Sequence, residues 1–376
     1  MTSNCLPASR RGAARCDLLE RQLRRYHPRF RRKVHDLAVR HPRIADLAAS
    51  FPALLFALAV PRPGLDPARA IAGAIDGLAL KEVAAAADVP LWLRKFAPEA
   101  IARPIMKLPD GEPFRRQIAN HLPRSPKLAP NWLQFVAEVA ELADEAAALW
   151  IAREFVREPR CVNPARLRLI SLWSWFSNQP GTFGRRLINR PWAPEMRMGS
   201  AMKAAEDWRT TLRLHVYLGR QPIADMWLRA ARVAGYEFLP LDTIAAITEE
   251  AEAMRNCLRV YGRNLAHNQS RLWSVRRDGQ RIATLKVACC SQDPLPDIAE
   301  LKGAGNAAAS REVWWAARQW LHAHDLAQID MRQRKSGTVS LDRATWTSLW
   351  RPYWLAKRRI PEWLPIAPSR PALGAL

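Results

Sequence analysis

Cys257 has the most chemistry to offer in this chain of 376 residues. A thiol becomes a nucleophile when a nearby base or positive charge lowers its pKa and solvent can reach it. Arg255, two residues earlier, could stabilise a thiolate by its charge but cannot accept the proton. A base would have to come from His267, His322 or His324, all remote in sequence. Against this stands a structural role: Cys257 flanks the apolar stripe of Met254, Leu258 and Tyr261, where a free cysteine serves as a small hydrophobe. The stripe favours a buried, inert thiol.

Other polar groups nearby carry weaker signals. Asn256 and Asn306 either bind a ligand or cap backbone groups. Lys302, Gly303 and Gly305 offer a phosphate-cradling turn ahead of a Trp-rich helix. The Walker pattern is missing, so a plain strand-to-helix loop is the better reading. His322-x-His324 with Cys289 and Cys290 lacks metal-ligand spacing. GxSxG, HExxH and GxGxxG do not occur, so no metal and no cofactor are expected.

A second kind of chemistry lies in the charge. The formal net charge of +23 is uneven: residues 1–50 hold 12 Arg/Lys against 4 Asp/Glu, residues 331–376 hold 9 against 2, and residues 240–330 hold 11 of each. The densest run is Arg21, Arg24, Arg25, Arg29, Arg31, Arg32 and Lys33, with no acid among them. Arg332, Arg334 and Lys335 form a second cluster, and Lys357, Arg358 and Arg359 a third, after Trp346, Trp350 and Trp354. Such groups release counterions from phosphates, and exposed aromatics stack on unpaired bases. The alternative is a solvated face, with the tryptophans packing a terminal helix.

The elements that must position these residues follow from period and punctuation. Residues 1–50 read as a basic helical arm interrupted at His27-Pro28 and His41-Pro42. Residues 51–238 read as all-helical. Within them, Ser50 should cap a buried helix over Phe51–Val60, and Asn131 should cap one long helix running to Glu158. That ten-residue apolar stretch is half of the about 20 residues a membrane span needs, so no membrane role is expected. The basic first residues lack the apolar core of a secretory signal. The six cysteines show no CxxC spacing, and reduced thiols in a cytoplasm fit them best.

Residues 239–330 change period. Ile244, Ile247, Ala251, Met254, Leu258 and Tyr261 trace one amphipathic helix, with Glu249, Glu250 and Glu252 early in it. Two β-rich runs flank Asp278-Gly279, a hairpin turn signal. Asp297–Lys302 adds a third strand, and Arg311–His322 closes the module as a helix. The fold class is therefore α+β: a mostly helical N-terminal region, then an α-β-β-(β)-α module. Residues 331–376 follow as a basic, Trp-rich tail.

Across Leu239 to Asp325 these motifs resemble the PcfJ-like family. The run EEAEAMRNCLRVY (Glu249 to Tyr261) is similar to its acidic helix start followed by Met-His-Asn-Cys-Val and an aromatic. The hairpin WSVRRDGQRIATLKV and the segment LKGAGN, similar to the family's Gly-x-x-Asn, follow in order. The matching positions are Met254, Asn256, Cys257, Tyr261, Gly303 and Asn306. Arg255 replaces the family's histidine, and Glu300 stands where glutamine is expected. The resemblance implies a bacterial protein linked to mobile elements.

Three functions remain open. The first is a nucleic-acid-associated accessory protein gripping phosphates through its basic ends. The second is an enzyme with Cys257, Asn256 and Asn306 as catalytic groups and Glu250, Arg255, Tyr261, Lys302 and Gly303 as ligand-binding ones. The third is a module for a protein partner, anchored by surface tryptophans.

Overall fold

The computed structural model describes residues 17–289, 295–326, 329 and 341–376. It has the α+β architecture: helices dominate the first part, and a five-stranded antiparallel sheet with a covering helix occupies the second. The chain divides into two compact units, residues 1–178 with 191–202, and residues 179–190 with 203–376.

Proline punctuates the first unit. Pro28, Pro42, Pro52 and Pro164 each stand in the first turn of a helix, where the missing N–H costs nothing. His27 and His41 precede two of them, and their Nδ1 atoms accept from the amides of Arg29 and Arg43, each at 3.3 Å. The Pro52–Ala59 helix is apolar all round and buried apart from its last residue, as such a helix must be. Its N-cap is Phe51 without a side-chain cap; the Ser50 hydroxyl turns back to the Asp46 carbonyl at 2.9 Å. The expected Ser50 cap is therefore not formed.

The basic segment lies against this helix. Leu23, Tyr26, Phe30 and Val34 point inward, Tyr26 donates to the Pro52 carbonyl at 3.0 Å, and Phe30 meets Phe56 edge-on at 5.3 Å. The long helix expected from Asn131 to Glu158 is two, Ala129–Leu142 and Glu145–Arg157. Asp144 breaks it because its carboxylate satisfies the Ala147 amide at 2.8 Å, a cap stronger than continued helix. Trp132 then ties the pair, its indole donating to the Ala152 carbonyl at 3.2 Å.

In the second unit the strands run in sequence order as a meander: β1 Ala231–Val233, β2 Tyr236–Pro240, β3 Ser270–Arg277, β4 Gln280–Cys289 and β5 Pro296–Lys302. The β3–β4 hairpin turns at Asp278-Gly279, both with positive φ (50° and 78°), the geometry that matches strand twist. β1 and β2 lie in and beside the stretch read as all-helical. Their turn is Ala234-Gly235, and a three-residue strand offers too little alternation to be seen.

Period 2 sorts the two faces of the sheet. Trp273, Val275, Ala283, Leu285 and Val287 face the Arg311–His322 helix, where Trp320 stacks on Phe238 at 4.7 Å. Leu272 faces the other way, into a smaller core with Leu241, Ile247, Ala251, Leu258 and Leu265 from the β2–β3 connection. That connection covers the second face, and it carries the Met-Arg-Asn-Cys tetrapeptide.

Candidate functional site

Because Ala283, Leu285 and Val287 are turned to the tryptophan core, Thr284 and Lys286 must project from the opposite face of β4. Antiparallel register sets Lys302 opposite Thr284 and Glu300 opposite Lys286. The β2–β3 connection descends onto this polar patch.

The amphipathic helix expected through Tyr261 stops earlier, at Ala253. Arg255 takes a left-handed conformation (φ 49°), and a short 3-10 helix resumes at Leu258. Asn256 holds the break: its Nδ2 donates to Thr284 Oγ1 at 3.1 Å, and its Oδ1 accepts from the Leu258 amide at 3.4 Å. Thr284 in turn donates to Glu250 Oε1 at 3.1 Å, and Arg281 Nε donates to Glu250 Oε2 at 2.8 Å. Glu250 is fully buried, so its charge depends on those two partners. Glu249, Glu250 and Glu252 therefore sit in the second half of the helix, and Arg281 rather than the helix dipole stabilises Glu250.

Beside this lies a second network. Tyr261 donates its hydroxyl to Glu300, 2.9 Å from each carboxylate oxygen. Lys286 Nζ reaches Glu300 Oε1 at 2.6 Å and stands 4.5 Å from the centre of the Tyr261 ring. Burial and the adjacent carboxylate push the Tyr261 phenol up, so it stays protonated. Desolvation works to raise the Glu300 carboxyl, but hydrogen bonds from Lys286 and Tyr261 and the charges of Lys286 and Lys302 hold it below its usual range.

The structure brings the Met254–Cys257 and Gly303–Asn306 segments together. Gly305 N donates to the Met254 carbonyl at 2.7 Å, which fixes the Gly303–Asn306 turn beside Arg255, Asn256 and Cys257. Cys257 is exposed, so the expected burial is not what forms. The helix break lifts it out of the Met254–Leu258 stripe. Asn306 is exposed with φ 62°, and Lys302 is exposed at the end of β5. The amides of the glycine turn are spent inside the protein, Gly303 N on the Ala307 carbonyl at 2.9 Å and Gly305 N on Met254. They cannot also cradle a phosphate. His324 is likewise engaged: Nε2 accepts from the Arg229 amide at 3.0 Å, and Nδ1 lies 2.8 Å from the Trp320 carbonyl.

Of the expected phosphate contacts, Arg21, Arg24, Arg29, Arg32 and Lys33 lie on the exposed face opposite Leu23, Tyr26, Phe30 and Val34. Arg25 is exposed but pairs with Glu99 at 2.6 Å, and Arg31 donates to the Arg24 carbonyl at 2.7 Å. Arg332, Arg334 and Lys335 fall outside the described residues. Lys357 lies over the Tyr353 ring at 5.9 Å, while Arg358 is the left-handed C-cap of the Arg343–Lys357 helix and is exposed with Arg359. Trp346, Trp350 and Trp354 are buried, and the indoles of Trp346 and Trp354 donate to the carbonyls of Pro365 (2.8 Å) and Leu364 (3.1 Å). They are core, not a stacking platform. Among the described residues, Trp315 is the large exposed ring, at 59%.

Sequence reasoning missed Arg281, Thr284 and Lys286, although strand alternation within IATLKV marked the last two as facing away from the apolar side. No helix among the described residues is long and apolar enough to cross a membrane. The chain matches no family model, no curated protein and no solved structure.

Proposed function

We propose that this chain is a PcfJ-like accessory protein that grips nucleic acid by its phosphates, in the bacterial mobile-element setting the resemblance suggests. The observation that carries the phosphate reading is the one-sided basic segment. Leu23, Tyr26, Phe30 and Val34 bury one face, so Arg21, Arg24, Arg29, Arg32 and Lys33 are held together on the other. A docked array binds a polyanion at lower entropic cost than a free tail. The kinship is supported by the meeting of its two signature segments at the Gly305–Met254 hydrogen bond.

The test is substitution of those five residues by Gln, followed by a gel shift across a salt series. Substitution is preferred to deletion because removing the segment would strip cover from the Pro52–Ala59 helix. The wild type should show a steep fall in affinity with salt. The variant should lose a slope of roughly 0.9 per phosphate contact removed from duplex DNA. Equal slopes for the two proteins would refute the reading.

A second reading is favoured by the exposure of Cys257 beside the Tyr261–Glu300–Lys286 network. Cys257 lies close enough to Tyr261 to help raise its phenol, and an accessible thiol in such a polar setting is a candidate nucleophile. Labelling with a thiol reagent at neutral pH discriminates: Cys257 should react faster in the folded protein than in the denatured one. If it is slower, or if Cys257→Ser leaves every phenotype intact, Cys257 is a bystander.

A further inference from the structure

Away from the polar patch, the second unit contains a cleft of about 480 Å³ whose charged lining is all of one sign. Arg209 and Arg213 come from successive turns of the Met198–Leu218 helix. Arg259 comes from the 3-10 helix Leu258–Tyr261, Arg263 from the short helix Gly262–Ala266, and Arg370 from the helix Arg370–Gly374. The rest of the lining, including Thr210, Tyr217 and Asn264, holds no carboxylate side chain.

Three chain segments far apart in sequence thus deliver five guanidinium groups to one place. Gly262 eases the approach: a Cβ there would stand 3.0 Å from Leu214 Cα, tighter than ordinary contact, so glycine lets the Arg259–Arg263 segment close on the helix bearing Arg209 and Arg213 without a shift of its neighbour.

Glu206 pairs with Arg209, and Arg209 Nη1 donates to the Leu376 carbonyl at 3.4 Å. Arg213 Nη2 donates to the Leu373 carbonyl at 3.0 Å, while its Nε is buried with no hydrogen-bond partner. Arg370 lies 3.3 Å from His267 Nε2. Burial first, then the charges of Arg370 and Arg263, push His267 below its ordinary value. Protonation of this imidazole would add to the crowding. Like charges gathered around a cavity, with a donor left unmade, are costly unless an anion completes them.

We propose that this cleft binds a small polyphosphate ligand of nucleotide size. Guanidinium forks match phosphate oxygens in pairs, which a point charge such as lysine does not. The volume suits a nucleotide, since small-molecule sites run about 300–1,000 Å³. Tyr217, at the same lining, offers an aromatic face for a base. The site belongs to the second unit alone and shares no residue with the basic segment at 21–33, so the two can be tested apart.

Calorimetric titration of the full chain with inorganic tripolyphosphate, and separately with ATP, at about 0.15 M salt, where exposed charges are screened over ~8 Å, is the experiment. The expected result is saturable binding of both probes and a raised melting temperature. Arg259→Gln combined with Arg263→Gln should weaken both at least tenfold, and Arg370→Gln alone, at an exposed helix start, should weaken them measurably. The Gln variant of Arg21, Arg24, Arg29, Arg32 and Lys33 should keep them. An absence of saturable binding, equal affinity in the cleft variants, or loss only in the 21–33 variant would overturn the proposal. Cleft-dependent binding of a 5′-phosphorylated oligonucleotide with none of either small probe would overturn it as well.

Discussion

Thr284 is one hydroxyl serving two neighbours, accepting a hydrogen bond from Asn256 and donating one to Glu250. Replacing it with valine keeps the β-branched shape but leaves a buried carboxylate short of a donor and an amide short of an acceptor. Thr284→Val should lower stability by about 1–3 kcal/mol, measured by urea denaturation. Glu300 makes a pH-dependent contribution. Its carboxyl is held below the unfolded value near 4.5, so it stabilises the fold above that pH and loses the contribution as pH falls through the lower native value. Melting temperatures should favour wild type over Glu300→Gln at pH 7, and the gap should close in acid. At this scale the sequence is only partly legible. It marks Asn256, Cys257 and Tyr261 as a group, yet it cannot show that Asn256 staples a helix break or that the break exposes the thiol. Those outcomes depend on Thr284, 28 residues further on.

Elements were more readable where local chemistry decides them. Asp278-Gly279 sets a hairpin because both residues tolerate positive φ, and Arg311–His322 forms the expected closing helix, with Ser310 as an N-cap that the sequence reading does not single out. Gly279→Ala, at φ 78°, should cost about 1 kcal/mol by denaturant midpoint, with the sheet otherwise intact. Trp320→Ala should cost about 3–5 kcal/mol, because the ring is buried between Phe238 and Trp273. What stayed hidden are breaks imposed by capping or by tertiary contact. Asp144 splits a continuous apolar stripe, and β1 with β2 is too short to show a period. The five arginines of the cleft were unreadable for the same reason: none belongs to a basic run, and only tertiary packing of three separate segments gathers them.

Across the whole molecule, charge and burial set the response to pH. Desolvation pushes His215 down to about 4 from its ordinary 6.5, so between those values the unfolded chain binds a proton that the native one refuses. Stability should therefore fall as pH drops from about 6.5 toward 4. His215→Phe should flatten that decline, followed by denaturation midpoints at several pH values. The surplus of +23 reads from composition alone, but which charges face solvent does not. Arg25 and Arg31 are engaged within the fold, while Arg21, Arg24 and Arg29 are presented outward. The docking of Tyr26 and Phe30 on the Pro52–Ala59 helix has a practical corollary. That helix has no polar side of its own, so shortened versions of the protein that start after residue 38 would leave its grease in water. They should clump on expression, whereas versions that retain the chain from residue 17 onward should remain dispersed.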